Sequence, residues 1–190
     1  MKIFIVLGFV LYVPLSIAST SFRQVVEAAE NGDQKAQSIV GLSYHFGEYG
    51  KYKESVKQDH VRAVHWLSLS SKNGGCFSSW FLGGLYHEGN GIEKDIDKAA
   101  EYFLISAKRG NIKAQRNISA FYFYGMSVPQ DYELSYAWAS LANLQQRGSK
   151  NTQSLLNMII PKLENREEAD TFAEKHMVKY YTSQEDCGNS

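Results

Sequence analysis

The sequence predicts an all-α fold, built as a solenoid of about three helix pairs with a capping helix at its start and further capping helices at its end. Three observations predict this fold. A spacing of about 36 residues recurs between residues 32 and 148, glycine, tyrosine and aspartate return at fixed places in it, and the apolar residues between them follow helical spacing. A period of this length corresponds to one helix pair, which buries its apolar face by stacking on its neighbours.

Two glycines, a tyrosine and an aspartate mark each repeat. The tyrosine follows the first glycine by twelve residues, the second glycine comes three residues later, and the aspartate recurs every 36 residues. In chain order the sets are Gly32, Tyr44, Gly47 and Asp59, then Gly74, Tyr86, Gly89 and Asp95, then Gly110, Tyr122, Gly125 and Asp131. We therefore expect repeats at 32–73, 74–109 and 110–148.

The first helix of each repeat is predicted to have one apolar face. A small residue, an aliphatic residue and the repeat tyrosine stand four residues apart, and this spacing places them on one side of a helix. Beside that stripe, Gly41, Gly83 and Ser119 are small enough for the second helix to approach closely. We expect the second glycine to end the first helix with a positive φ, and the aspartate to cap the second helix.

The loop between the two helices carries a family resemblance. The segment Val128-Pro129-Gln130-Asp131-Tyr132, together with the spacing of the markers, resembles the Sel-one-like repeat family over roughly residues 22–181. This resemblance implies a right-handed, tetratricopeptide-like α/α solenoid of a small exported bacterial type. The chain departs from the pattern by six extra residues within Glu48–Lys57 and two before Gly148, and solenoids accept insertions of this kind in loops.

The two ends of the chain are predicted to differ from the repeats. Residues 1–18, with Lys2 followed by an apolar run of about 16 residues, predict a signal peptide cleaved after Ala18. A retained anchor is the alternative, although this run is shorter than the ~20 residues of a spanning helix. We expect a capping helix in 19–31, capping helices in 149–181 and a flexible tail in 182–190.

Charge and cysteine content bear on location and partners. The chain has 20 basic and 20 acidic residues, and loss of Lys2 with the leader leaves a net charge near −1, which gives no reason to expect nucleic acid. We expect a periplasmic or secreted protein with no membrane span after cleavage. In an oxidising compartment Cys76 and Cys187 can form a disulfide, and two unrelated thiols are the alternative that the sequence leaves open.

The sequence shows no catalytic constellation and no cofactor motif. None of its five histidines forms a pair with zincin spacing, and His60 and His65 fall on different faces of one helix. His45 and His87 each follow a repeat tyrosine, and we expect them to be polar aromatics of a groove. The prediction is a protein without enzymatic activity, cofactor or metal site.

Cysteine-rich relatives of the family suggest an enzymatic alternative, a β-lactamase or penicillin-binding-like hydrolase. Those relatives carry cysteine pairs in each repeat, whereas Cys76 is the one cysteine of this array. The sequence also has no Ser-x-x-Lys and no Lys-Thr-Gly, which place a nucleophilic serine beside its base in serine β-lactamases.

The candidate binding residues lie on the inner, concave face that first helices form in helix-pair solenoids. Several aromatic side chains with few charges are typical of a recognition hot spot. The candidates are Phe46, Phe77, Trp80, His87, Arg116, Phe123 and Tyr124. Packing between repeats is the alternative role for about half of this face, Leu42 and Phe81 especially.

From this face we predict a monomer that binds a protein partner. The resemblance implies a more specific form, an immunity protein that neutralises a phospholipase effector of a type VI secretion system. Its partner would then be a secreted effector or another envelope protein. A secreted factor that acts on a host is a further alternative.

Overall fold

A computed structural model of the 190-residue chain describes residues 21–47, 56–146, 149–181 and Cys187. Every regular element in these ranges is helical, so the predicted all-α solenoid of helix pairs is confirmed. The signal segment predicted at 1–18 lies outside the described residues, as does the predicted tail apart from Cys187. The helices are α1 (Phe22–Glu30), α2 (Gln34–Phe46), α3 (His60–Lys72), α4 (Cys76–Glu88), α5 (Ile96–Lys108), α6 (Ile112–Tyr124), α7 (Tyr132–Gln145), α8 (Lys150–Ile159) and α9 (Arg166–Tyr181), with a 3-10 turn at Ile160–Lys162.

The helices stack as consecutive pairs. The first helices α2, α4 and α6 pack on the second helices α3, α5 and α7, and each second helix also packs on the first helix that follows it. Val40, Leu82 and Ile118 stand at the same position of the three first helices, and all three are 0% exposed. The apolar face predicted from the four-residue spacing therefore forms the centre of the solenoid.

The repeat glycines and aspartates have the conformations that the sequence predicts. Each second glycine is a left-handed C-cap, with φ of 81° at Gly47, 73° at Gly89 and 68° at Gly125. Each aspartate is an N-cap whose carboxylate accepts a hydrogen bond from the backbone amide three residues later. The caps are Asp59 for α3, Asp95 for α5 and Asp131 for α7.

Small residues bring the two helices of each pair together, as predicted. A Cβ atom at Gly41 would lie 2.7 Å from the Leu67 side chain, so no larger residue fits there without movement. In the third pair the serine at this position, Ser119, exchanges hydrogen bonds with Ser135: each hydroxyl donates to the other residue's carbonyl, at 2.7 and 2.8 Å.

The C-terminal helices do not form a fourth pair. Helix α9 packs on α7 instead of α8, where Ala173 and Met177 join the core and the Tyr180 ring stacks on Trp138 at 5.3 Å. Asn157 follows buried Leu156 on α8, at the place where earlier first helices carry glycine or serine. Its side chain is exposed and accepts a hydrogen bond from the Gln153 amide on the same helix at 3.0 Å.

A disulfide links the C-terminal segment to the second repeat. It joins Cys76, the first residue of α4, to Cys187, with the Cα atoms 5.4 Å apart and a sequence separation of 111. Both side chains are 1% exposed. Of the two possibilities that the sequence leaves open, the structure contains the bridge.

Within the described ranges, none of the helices combines the length and the apolar character needed to cross a membrane.

Candidate protein-binding face

A recurring backbone hydrogen bond determines which side chains become neighbours at one end of each helix pair. The amide of the repeat aspartate donates to the carbonyl of the repeat tyrosine, at 2.9 Å between Asp59 and Tyr44 and at similar distances in the other repeats. The bond places the residue after the tyrosine near the residue after the aspartate. In the first repeat these two residues are His45 and His60.

The two histidines form a direct side-chain contact. Their Nδ1 atoms lie 3.3 Å apart, so the N–H of one ring donates a hydrogen bond to the other ring when both are neutral. Burial lowers the pKa of His45, and the nearby His60 lowers it further. The His45 ring, 5% exposed, also meets Phe46 and Phe81 edge-on at centroid distances of 4.6 and 5.2 Å.

Four aromatic rings continue from this point across the first two repeats. We call Phe46, Phe81, Phe77 and Trp80 the aromatic row. Successive centroids lie 6.0 Å apart from Phe46 to Phe81, 6.1 Å from Phe81 to Phe77 and 5.6 Å from Phe77 to Trp80. Phe46 is 55% exposed and the other three rings are half-buried. The row thus connects α2 with α4 and presents ring surface to solvent.

The row rests on buried side chains. Phe77 and Phe81 pack on a core cluster that contains Leu42, Leu82 and Leu85. Leu42 belongs to packing, which was its alternative role, whereas Phe81 serves both the core and the row. Because the core fixes these rings, their side chains lose little rotamer freedom when a partner covers them.

Two cations of the third repeat extend the row. The Nζ atom of Lys113 lies 4.9 Å from the centroid of the Trp80 ring, a cation–π contact. One helical turn further along α6, the Arg116 guanidinium donates to the Ser149 hydroxyl at 3.2 Å. Burial lowers the pKa of Arg116. Arg116, a predicted site residue, is half-buried here.

The remaining predicted residues lie elsewhere. The His87 ring packs on the buried rings of Phe103 and Phe121, at 6.5 and 5.7 Å, and is not part of the row. Phe123 packs toward α7 and α8, while Tyr124 is 56% exposed and meets Phe123 edge-on at 4.9 Å. The predicted face therefore consists of the aromatic row and a separate aromatic pair in the third repeat.

Lys113 and His60 were missed as neighbours of this face, although the sequence contains a signal for both. Lys113 follows Phe77 by 36 residues, one full repeat, so it occupies the matching place on the next first helix. His60 directly follows the capping aspartate, as His45 directly follows the repeat tyrosine.

A cavity of about 660 Å³ lies on another side of the molecule, between α7, α8 and α9. Leu141, Leu156 and Met177 contribute to its apolar wall. At its polar side the Tyr136 hydroxyl donates to the Asp170 carboxylate, and burial is the main reason that the pKa of Tyr136 is raised. Across the residues that the structure describes, no three potential metal ligands come together.

Comparison with known proteins identifies the repeat. The family model described as Sel1 repeat matches residues 34–75, 77–111 and 112–146. The ERAD-associated E3 ubiquitin-protein ligase component HRD3B of Arabidopsis thaliana is 34% identical over 110 residues, which are 57% of this chain and 16% of that protein. Human protein sel-1 homolog 2 is 30% identical over 112 residues, 59% of this chain and 15% of that protein.

Solved structures agree with this assignment. A protective antigen of uropathogenic Escherichia coli strains, described as displaying an SLR fold, matches with a TM-score of 0.70 and 25% identity, over 84% of this chain and 33% of that one. A Sel1 repeat protein from Oxalobacter formigenes shares the fold with a TM-score of 0.63 at 24% identity, over 71% of this chain and 96% of that one.

The chain spans about a sixth of the length of these two curated relatives. Its three matched repeats cover more than half of its own sequence and coincide with the helix pairs α2–α3, α4–α5 and α6–α7. The chain therefore belongs to the Sel1 repeat family and has the architecture of a protein–protein interaction module.

Proposed function

We propose that this protein is an exported, monomeric, non-enzymatic binding protein that holds a partner protein on the aromatic row. One observation carries the proposal: three successive ring contacts join four aromatic rings from α2 to α4, and the rings are partly open to solvent. Large aromatic side chains fixed on a rigid helical support are the residues that dominate binding energy in protein interfaces.

An exported location is supported by two features. The apolar segment 1–18 has the order of charges and small residues that a signal peptidase reads. The disulfide between Cys76 and Cys187 is of a kind that persists in oxidising compartments, such as the periplasm or the extracellular space. Both features support a mature protein located in the periplasm or outside the cell.

The more specific form of this proposal is an immunity protein. The family resemblance supports it, because small signal-bearing members include proteins that neutralise type VI secretion phospholipase effectors. The partner would then be a secreted effector held in the periplasm. Co-expression with a candidate effector should restore growth with the wild type but not with a variant that lacks the aromatic row.

A second candidate role, a secreted host-interaction factor, is favoured by one comparison. The structural neighbour from uropathogenic Escherichia coli is described as a protective antigen. Finding the mature protein in culture supernatant would support this role, whereas strict retention in the periplasm would contradict it.

Affinity capture tests the binding proposal. Mature wild type and the double variant Phe77→Ala/Trp80→Ala are used to capture proteins from periplasmic extract, after circular dichroism shows that both are folded. The control Leu144→Ala/Met158→Ala removes two exposed apolar side chains, 55% and 44% exposed, at the other end of the solenoid. We expect the control to recover the wild-type partner and the row variant to lose it. Equal recovery by the row variant contradicts the proposal.

The hydrolase alternative is tested separately. With no Ser-x-x-Lys or Lys-Thr-Gly in the sequence, we expect the mature protein to hydrolyse nitrocefin no faster than buffer. Turnover that persists through repeated purification would support an enzyme.

A further inference from the structure

The first helices contain one acidic residue, whereas the second helices contain three. Helices α2, α4 and α6 together contain three lysine or arginine residues and one acid, which is Glu88 at the end of α4. The second helices α3, α5 and α7 contain basic and acidic residues in similar number. The charge on the first-helix side therefore favours an acidic partner over a basic one.

One of the basic residues, Lys113, contacts a ring of the aromatic row, and Arg116 lies one helical turn further along the same helix. Lys113 and Arg116 follow Phe77 and Trp80 by 36 residues each, so they occupy the matching positions one repeat further along. The 4.9 Å contact between Lys113 and the Trp80 ring shows that this register brings the charge to the end of the row. An aromatic surface thus passes directly into a basic one.

Neither cation has a carboxylate partner among the residues that the structure describes. The ion pairs found there join other residues, such as Lys98 and Asp95 at 2.9 Å on α5. Arg116 bonds to the Ser149 hydroxyl, which has no charge, although the guanidinium is half-buried. Burial already lowers the pKa of Arg116, so the charge is partly desolvated without a compensating anion.

We propose that the partner presents an acidic segment in which a carboxylate stands next to an aromatic or aliphatic side chain. The carboxylate binds Arg116 and Lys113, and the neighbouring side chain packs on Trp80 and Phe77. A guanidinium has five N–H donors arranged to meet a carboxylate, and partial burial strengthens the bond. This inference rests on the proposed function, because it concerns the same face.

A random library of displayed twelve-residue peptides tests the inference without knowledge of the natural partner. The library is selected on mature wild type, on Lys113→Glu/Arg116→Glu and on the control Lys72→Glu/Lys175→Glu. The control changes the net charge equally, but at exposed residues of α3 and α9. A fourth selection on Phe77→Ala/Trp80→Ala tests whether peptide binding requires the rings of Phe77 and Trp80.

We expect wild type and control to enrich peptides in which aspartate or glutamate adjoins an aromatic or aliphatic residue. Peptides selected on the Lys113→Glu/Arg116→Glu variant should no longer be enriched in aspartate or glutamate but should keep the apolar residues. A synthetic peptide of the winning sequence should bind this variant about tenfold more weakly than wild type, and wild-type affinity should fall as salt rises.

The outcomes separate the two proposals. Enrichment of apolar residues without acids on wild type overturns the acidic partner and leaves the aromatic row as a binding face. If the same peptides are enriched on Phe77→Ala/Trp80→Ala as on wild type, both the aromatic row as a binding face and the acidic partner are overturned. The same conclusion follows if no peptide is enriched on any of the proteins.

Discussion

Gly83 on α4 lies so close to Phe103 on α5 that a Cβ atom at Gly83 would stand 2.6 Å from the ring. The next residue, Gly84, has nothing within 4 Å of its equivalent Cβ position. Two adjacent glycines of one helix therefore have different roles, close helix packing at Gly83 and none at Gly84.

The first prediction uses this pair. Gly83→Ala should lower the free energy of unfolding by about 1–3 kcal/mol, because the buried Phe103 ring must move. Gly84→Ala should leave it unchanged or raise it by up to about 1 kcal/mol, since alanine favours the helix. Urea unfolding of both variants measures the difference. Equal effects of the two substitutions would show that the helices do not approach at Gly83.

The second prediction concerns the disulfide. Because the bridge closes a loop of 111 positions, its loss should lower the free energy of unfolding by about 2–5 kcal/mol. The change is made by Cys187→Ala, with urea unfolding in the presence and absence of dithiothreitol as the measurement. Reductant should bring wild type to the level of the variant and leave the variant unaffected. Two free thiols in protein purified from the periplasm would contradict the bridge.

The third prediction concerns pH and the His45–His60 contact. The folded-state pKa of His45 lies below its ordinary value, so the folded protein favours the neutral ring. As pH falls through the ordinary histidine range, near about 6.5, the unfolded chain takes up a proton first. The stabilising contribution is therefore complete above that range and is lost as pH falls toward the lowered pKa.

Urea midpoints at about pH 7.5 and about pH 5.5 measure this loss. Wild type should lose more stability than His45→Gln, whose amide can still bond to His60 but does not titrate. An equal loss in both proteins would exclude His45 as the source.

The repeat could be predicted from the sequence because its markers each have a local cause. Gly47 needs a positive φ, Asp59 satisfies the free amides of α3, and Gly41 leaves room for Leu67. Each requirement involves only neighbours within one helix pair. Recurrence in three copies then makes the pattern distinct from chance.

The course of the C-terminal helix could not be predicted in the same way. The sequence predicts a helix from Asn165 onward, and the Asn165 side chain does accept from the amides of Glu167 and Glu168. Whether α9 packs on α8 or on α7 depends on contacts that exist only after the whole array has formed. The packing of α9 is therefore set by contacts between residues far apart in sequence, and the local spacing of residues does not encode it.

The aromatic row was predictable in part. Exposed and half-buried aromatics on the first helices are recognised by their offset from the repeat glycine, and Phe46, Phe77 and Trp80 do lie in one row. The offset does not reveal that His87 turns toward Phe103, because ring direction depends on the packing of the next pair.

Photo-crosslinking tests most directly the central claim that a partner protein binds on the aromatic row. The photoreactive amino acid benzoylphenylalanine replaces Trp80 in one protein and exposed Leu144 in another, and both are irradiated in living cells. We predict a covalent adduct with one partner protein from position 80 and none from position 144. An adduct that forms from position 144 and not from position 80 would contradict the claim.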